Sequence, residues 1–313
     1  MARKRKGLPI HGWLVLDKPE GMTSTQALGK VRWMLKAEKA GHGGTLDPLA
    51  TGILPIAFGE ATKTVAYAMD GTKVYHVTLK WGERTTTDDR EGPVVEQSDV
   101  RPTREDIERA LGGFLGEIQQ VPPQFSAIKI DGERAYDMAR DGETVELAPR
   151  TVRIDRFDLV SLPDDDHAAF EVQCGKGTYI RALARDLAAA LGTVAHVTVL
   201  RRVRVGRFTL ENAISLDDLA ALEQGAAVER LLLPIETALD DIPALALTDA
   251  EAQRLRHGQA VILLTRHDRE RLKGVQDHVG GDGIVLTLFA GKPVALARVE
   301  GAEVRPVRLF NIS

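Results

Sequence analysis

Gly41-His42-Gly43-Gly44-Thr45-Leu46-Asp47-Pro48-Leu49-Ala50-Thr51-Gly52 is the stretch on which the reading of this chain turns. Pro48 disfavours helical geometry at Asp47, so the carboxylate sits on an extended or turn backbone, with glycines nearby that let a ligand come close. Taken alone, the segment better fits an ordinary helix start, with Asp as N-cap and Pro at the first helical position. Neither the GxxxxGK[ST] nor the GxGxxG spacing is present, so the glycines do not form a phosphate loop.

Outward from this stretch run short strands and helices. Residues 13–16 are a short apolar run ended by Asp17-Lys18-Pro19, a buried strand entering a turn. Ala27, Leu28, Val31, Met34 and Leu35 recur at helical spacing after Thr23-Ser24, predicting a helix with a hydroxyl N-cap. Tyr75, Val77, Leu79 and Trp81 alternate with His76, Thr78 and Lys80, as in a half-buried strand. Thr103-Arg104-Glu105-Asp106 resembles a capping box, with Asp for the usual Glu, before a helix through Leu111.

Residues 121–150 combine Pro, Gly and charge, predicting an arm or long loop. Strand-like runs follow at 152–160 and 170–174, then a helix near 180–191 stopped by Gly192, then strand-like runs at 196–200 and 203–205. Beyond an acidic stretch, Thr248-x-x-Glu251 caps a short helix closed by Gly258, and two strands, 284–289 and 294–299, join through Gly291-Lys292. Strands and helices interleave without a regular βαβ period. The expected fold class is therefore α+β, a mixed, largely antiparallel core sheet with flanking helices and a small, mainly β C-terminal domain. The expected division is a flexible basic tail at 1–11, a main domain at 12–240 and a C-terminal domain at 243–313.

The 313 residues allow about two domains at ~150 residues each, and 43% hydrophobic residues exclude collagen-like, disordered and disulfide-stapled classes. The single cysteine, Cys174, forms no internal disulfide or cysteine-rich zinc site and reads as a small buried apolar residue. A formal net charge of −4 argues against a nucleic-acid partner, but regional counts differ. Residues 1–39 carry 9 basic and 3 acidic residues, 168–207 carry 7 and 2, and 40–167 carry 14 and 24. If the two basic segments meet in space, they make a face for an anionic ligand. No stretch approaches the ~20 apolar residues that span a bilayer. The basic start at residues 1–6 lacks the apolar h-region of a signal peptide, so a soluble, cytoplasmic protein is expected.

The eight histidines show neither HExxH nor ligand-spaced pairing, so no metal site is expected, and no GxSxG elbow occurs. A second candidate cluster is Gly175-Lys176-Gly177-Thr178-Tyr179-Ile180-Arg181, at a strand-to-helix junction. By itself, Tyr179 fits a core aromatic and Arg181 a surface helix residue paired with Asp186. A third is Leu200-Arg201-Arg202-Val203-Arg204-Val205-Gly206-Arg207, which fits either phosphate binding or a solvated sheet edge.

With Lys18-Pro19-x-Gly21-Met22-Thr23-Ser24 and His196-Val197-x-x-Leu200-Arg201-Arg202, these motifs resemble, in order and spacing across residues 12–207, the TruB family of pseudouridine synthases. Past residue 208 the resemblance thins, and position and β pattern suggest a PUA-like RNA-binding domain. The resemblance implies a pseudouridine-synthase core that isomerises the T-loop uridine at position 55 of tRNA to pseudouridine, with no metal and no organic cofactor. It implies that Asp47 is the essential aspartate and that His42 meets the RNA near the flipped nucleotide. It further implies that Tyr75 stacks on the target base, that Tyr179 and Arg181 form the pair whose arginine joins the catalytic carboxylate, and that Leu200 packs in that pocket. Lys18, Asp89, Arg201 and Arg202 fall within the matched motifs and carry over as RNA-binding positions. The implied partner is tRNA, through its T-arm stem-loop, acted on by a monomer with no guide RNA and no obligate protein partner. The family is also associated with helping tRNA fold. One departure stands out: where the family often shows Thr-Asp-Thr-x-Asp, this chain has Thr85-Thr86-Thr87-Asp88-Asp89, so Thr86 replaces the first Asp while Asp89 keeps its place.

Pseudouridine formation breaks the N1–C1′ bond, turns the base and joins C5 to C1′. A carboxylate can attack C1′ or take a proton from C2′, and spacing does not choose between them. Water must be kept from the freed base, which calls for a closed, apolar-lined pocket containing Leu200 and Tyr75. The target uridine must leave its stack, and stacking on Tyr75, ~1–3 kcal/mol, offsets part of that cost. The basic segments would supply phosphate contacts, and the arm and C-terminal domain would extend the grip by shape. Three other readings stay open to the residues: a guide-RNA-dependent relative with the same core, a non-catalytic RNA-binding or RNA-folding protein, and a carbohydrate-active or hydrolytic enzyme using Asp47.

Overall fold

The computed structural model describes residues 7–126, 129–130, 133–134, 147–222, 230–276 and 283–312. Strands β1 (Gly12–Lys18), β2 (Ala40–His42), β3 (Thr51–Phe58) and β4 (Lys73–Trp81) are followed by a small hairpin, β5 (Glu83–Thr85) and β6 (Val94–Gln97), then by β7 (Gly116–Gln120). The short pair β8 (Lys129–Ile130) and β9 (Glu133–Arg134) precedes β10 (Arg150–Asp164), β11 (His167–Cys174), β12 (Ala195–Val205), β13 (Phe208–Thr209) and β14 (Ala213–Ile214). Outside the two hairpins these strands form one sheet in the order β14-β1-β3-β12-β4-β11-β10-β7, with β13 on β12 and β2 on β3. The β1/β14 and β3/β12 pairings are parallel and the others antiparallel, the mixed, largely antiparallel sheet expected of the α+β class.

Strand alternation sends β1 into two cores. Leu14 and Leu16 join a cluster with Val31 of α1 (Ser24–Met34), Ile107 of α3 (Arg104–Leu111) and Leu183 and Leu187 of α4 (Ile180–Ala190). Trp13 and Val15 face the other way, with Ile53, Phe208 and the C-terminal residues Ile284, Leu296 and Phe310. Helix α2 (Val65–Asp70) adds Ala68 to this second cluster. Both faces of β1 and β3 are thus covered, which explains their continuous apolar runs. The local signals hold: Thr23 caps α1 in a full capping box, Thr103 caps α3, and β4 buries Tyr75, Val77, Leu79 and Trp81.

After α5 (Leu216–Ala221), the C-terminal chain forms a second sheet from β15 (Ala244–Ala246), β16 (Val261–Ile262), β17 (Ile284–Phe289), β18 (Lys292–Glu300) and β19 (Glu303–Leu309), ordered β15-β17-β18-β19-β16. The capping box at Thr248 starts α6 (Asp249–Arg256) as expected. A second helix, α7 (Arg266–Gln276), has no forerunner in the sequence reading. It buries Leu272 and Val275 within an otherwise mostly charged segment, too thin an apolar stripe to mark a helix by period.

Three expectations change. The chain is already held before residue 11: Leu8 donates to the Lys36 carbonyl at 2.7 Å and accepts from Glu38 N at 3.0 Å. The runs at 196–200 and 203–205 are one strand, β12, bulged against β4 on both sides of Arg201-Arg202. No helix starts at Asp47; Ala50 N donates to the Asp47 carbonyl at 3.1 Å and the chain enters β3. The expected arm at 121–150 lies largely outside the described residues.

Gly52 fixes the junction between the Asp47 loop and β3. Its φ is +99°, and a Cβ there would lie 2.2 Å from the carbonyl oxygen of Arg202, its partner across the parallel β3/β12 contact. Gly52→Ala is expected to destabilise the fold by about 3 kcal/mol or more through combined backbone strain and overpacking. Urea unfolding measures this, and an unchanged midpoint would contradict it.

Candidate active site

Asp47 sits on the loop between β2 and β3, and that loop is braced from three sides. Lys18, at the end of β1, is wholly buried; its Nζ donates to the carbonyls of Pro19 (2.8 Å), Met22 (2.7 Å) and Pro48 (3.3 Å). Ser24, the first residue of α1, exchanges hydrogen bonds with Leu46: its Oγ accepts from Leu46 N at 2.8 Å and donates to the Leu46 carbonyl at 3.1 Å. From β12, Arg202 donates to the carbonyls of Ile53 (2.8 Å), Thr45 (3.3 Å) and Gly44 (3.1 Å). Main-chain carbonyls of an irregular loop buried against a sheet end need donors, and these side chains supply them.

The carboxylate itself meets Arg181, whose Nε donates to Asp47 Oδ2 at 2.9 Å. Arg181 lies at the start of α4, and all three of its guanidinium nitrogens are engaged: Nη1 donates to the Thr87 carbonyl and Nη2 to the Phe125 carbonyl, each at 2.8 Å, with Asp89 Oδ2 3.6 Å from Nε. The Arg181 side chain is 4% exposed and that of Asp47 32%, so the cation is sealed while the carboxylate reaches open space. Burial opposes the charge on Arg181, but Asp47 and Asp89 outweigh it and its pKa lies above the ordinary value.

That open space is a cavity of about 580 Å³, within the usual range of small-ligand sites, and Leu46, Asp47, Tyr75, Tyr179, Arg181 and Leu200 line it. Burial raises the Tyr75 pKa, keeping the ring a neutral phenol against the cavity. Tyr179 is fixed through its backbone by Gln120, a fully buried amide on β7 that accepts from Tyr179 N at 2.8 Å and donates to its carbonyl at 3.1 Å. A larger groove of about 700 Å³ runs along α1 and α5, but no carboxylate, histidine or cysteine lines it. Among the described residues, no group of three or more His, Cys, Asp or Glu side chains is placed to hold a metal ion.

Of the residues singled out from sequence, the cavity gathers Asp47, Tyr75, Tyr179, Arg181, Leu200 and Arg202, but not His42, Lys18, Asp89 or Arg201. His42 lies on β2 with Nδ1 buried and without a partner among the described residues; burial, then Arg202, lowers its pKa. Lys18 and Arg202 are interior braces rather than outward-facing cations, and burial pulls Lys18 down to about 8. Asp89 faces inward, its Oδ1 accepting from Thr87 Oγ1 at 2.5 Å and Glu91 N at 3.0 Å. Arg201 forks onto Asp17 at 3.0 and 2.7 Å, so it is neither a free phosphate site nor a solvated edge.

The surface pairing of Arg181 with Asp186 is likewise overturned. Arg185 takes Asp186 at 2.9 Å and approaches Asp88 at 3.4 Å, while Arg207 pairs with Asp240. Lys176, Arg181, Arg185, Arg201, Arg202 and Arg207 of residues 168–207 therefore each meet a carboxylate or a main-chain carbonyl of this chain. Sequence reasoning gave no site role to Ser24 or Asp88, though both fall in quoted motifs, and missed Gln120 altogether. Gln120 carried no signal, being one polar residue in a short strand. Asp88 has a left-handed backbone, φ +59°, and its pKa is raised by burial despite Arg185 and Arg181.

Arg181→Met would leave Asp47 and Asp89 uncompensated and the Thr87 and Phe125 carbonyls without this donor. The expected loss of stability is about 3–5 kcal/mol, the range for breaking a buried ion pair from one side. Urea unfolding checks it; a change below about 1 kcal/mol would show that the pair does not hold the site together.

Residues 32–180 match the TruB family pseudouridylate synthase (N terminal domain), and residues 181–240 match the tRNA pseudouridylate synthase B C-terminal domain. The tRNA pseudouridine synthase B of Caulobacter sp. (strain K31) is 53% identical over 313 residues, covering all of both chains. That of Gluconacetobacter diazotrophicus is 55% identical over 310 residues, covering 98% of this chain and 100% of its own. Among solved structures, a Cbf5-Nop10-Gar1 complex contains a chain with a TM-score of 0.71 and 26% identity, covering 96% of this chain and 85% of that one. By sequence over its whole length, the chain belongs to the TruB family of pseudouridylate synthases, which are isomerases.

Proposed function

We propose that this chain isomerises uridine 55 in the T-loop of tRNA to pseudouridine, without a cofactor, and that Asp47 is the essential carboxylate. The observation that carries this reading is the Asp47–Arg181 pair at 2.9 Å, sealed on the arginine side and open to the Tyr75/Leu200 cavity on the other. A uridine swung out of its loop would lay its base against Tyr75 and Leu200 and bring C1′ to Asp47. The carboxylate then acts at C1′ or C2′ as the N1–C1′ bond breaks. The base turns in place, C5 joins C1′, and the proton leaving C5 is balanced by one gained at N1. Apolar walls keep water from the freed base, and Arg181 holds the carboxylate on target without being consumed.

The proposed division of labour places catalysis in residues 12–240 and a PUA-like RNA grip in 243–313, with the basic residues before 12 and the arm as further RNA contacts. The separate C-terminal sheet, and a family match that ends at residue 240, support it. The second reading is a guide-dependent enzyme with the same core; the likeness to a chain that stands in a Cbf5-Nop10-Gar1 complex favours an enzyme that works within an assembly. We place the protein in the cytoplasm as a monomer that needs no guide and also helps tRNA fold. No helix among the described residues is long and apolar enough to cross a membrane.

Pseudouridine mapping of tRNA incubated with the purified chain alone tests the proposal. The expected result is pseudouridine at position 55, abolished by Asp47→Asn while binding of a T-arm stem-loop persists. Activity only with added guide RNA would favour the second reading, and full activity of Asp47→Asn would refute the role given to Asp47. Refolding of a misfolded tRNA should be accelerated by Asp47→Asn as by the unaltered chain; no acceleration by either would remove the folding role.

A further inference from the structure

Arg150, the first residue of β10, also lines the cavity. Its guanidinium lies over the ring of Tyr179, 4.7 Å from the centroid, a cation–π stack. Its strand partner across β10/β7 is Gln120, the residue whose amide clamps the Tyr179 backbone. Tyr179 is thus gripped by neighbours on two adjacent strands, at its backbone by one and at its ring by the other.

The polar edge of Arg150 has no such partner. Nε and Nη2 are both shielded from solvent, and among the described residues neither meets a hydrogen-bond acceptor. Other cations around the cavity are engaged: Arg181 by Asp47, Arg202 by three carbonyls, Lys176 by Asp70 at 2.8 Å and Lys73 by the Met69 carbonyl. Buried donors without acceptors are rare, and a pair of them beside a substrate cavity points to a ligand group. Nε–H and Nη2–H form one edge of the guanidinium, a fork that fits two oxygens side by side. A uracil carbonyl offers one oxygen, whereas a phosphodiester offers two non-bridging oxygens and the opposite charge.

Resting on the pseudouridine-synthase reading, we propose that Arg150 grips a backbone phosphate adjoining the flipped nucleotide and so positions its ribose over Asp47. On this proposal the guanidinium, with Cζ 4.7 Å above the Tyr179 centroid, shifts over the ring when RNA binds and brings its free edge to the cavity. Arg150 is a binding and positioning residue; the chemistry stays with Asp47.

The test measures T-arm stem-loop binding by the full chain across a salt series, for the unaltered protein, Arg150→Ala and Arg150→Lys. Losing one phosphate contact should weaken binding about tenfold and reduce the slope of log K against log salt by about 1. Arg150→Lys should recover the slope but not the full affinity, since an ammonium lacks the fork. Stem-loops with a neutral methylphosphonate 5′ or 3′ to the target uridine locate the contact: on one of them the unaltered protein should fall to the Arg150→Ala level, and Arg150→Ala should lose nothing further. An unchanged salt slope in Arg150→Ala, or equal penalties from both methylphosphonates in variant and unaltered protein, would overturn the proposal and leave Arg150 as a prop for Tyr179. If Arg150→Ala fails to fold, Arg150→Gln carries the same comparison. Unaltered protein that binds the stem-loop but makes no pseudouridine would sink the functional reading while the salt comparison still decides the role of Arg150.

Discussion

The ion pair between Asp47 and Arg181 joins chain segments 134 residues apart, and the rest of the site is arranged around it. A lone carboxylate on an irregular loop would turn toward water; tied to a guanidinium held below it, it can point one oxygen into the cavity. The arginine is competent for this because each of its groups is engaged, by Asp47 and Asp89 on one side and by the Thr87 and Phe125 carbonyls on the other. Such a pair contributes little net stability after desolvation. Its value lies in geometry, since breaking it from one side leaves a buried charge uncompensated.

The supporting layer follows the same logic. A loop that bears a reactive group cannot use the sheet ladder, so its carbonyls need donors from elsewhere. Lys18 and Arg202 reach in from β1 and β12, and Ser24 from the first turn of α1. All three come from elements anchored in the apolar clusters, so the position of the loop is inherited from the sheet. Rigid strands, rather than the loop itself, set where the carboxylate lies.

Much of the fold was legible because its causes are local. The alternation of β4, the threonine caps at 23, 103 and 248, and the glycine ending α4 each act through neighbours a few residues away. What was hidden depends on distant partners. Asp47-Pro48 taken alone reads as a helix start, and the turn is held instead by Arg181 on the carboxylate and by Arg202 bound to the preceding carbonyls. The cations of 168–207 counted as a basic face because composition does not distinguish an arginine in solvent from one facing carbonyls, and carbonyls leave no mark in a sequence. Gln120 escaped notice for the same reason: its partner is the backbone of Tyr179. The TruB motifs supplied what composition lacked, because they bring together residues whose contacts are long-range.

The most direct measurement is a crystal structure of the Asp47→Asn variant with a T-arm stem-loop bound. The account predicts the target uridine turned out of the loop, its base against Tyr75 and Leu200, its C1′ within about 3.5 Å of the side chain at position 47, and Arg181 in place beneath it. A T-loop held with that uridine still stacked, or a flipped nucleotide lodged away from position 47, would contradict it.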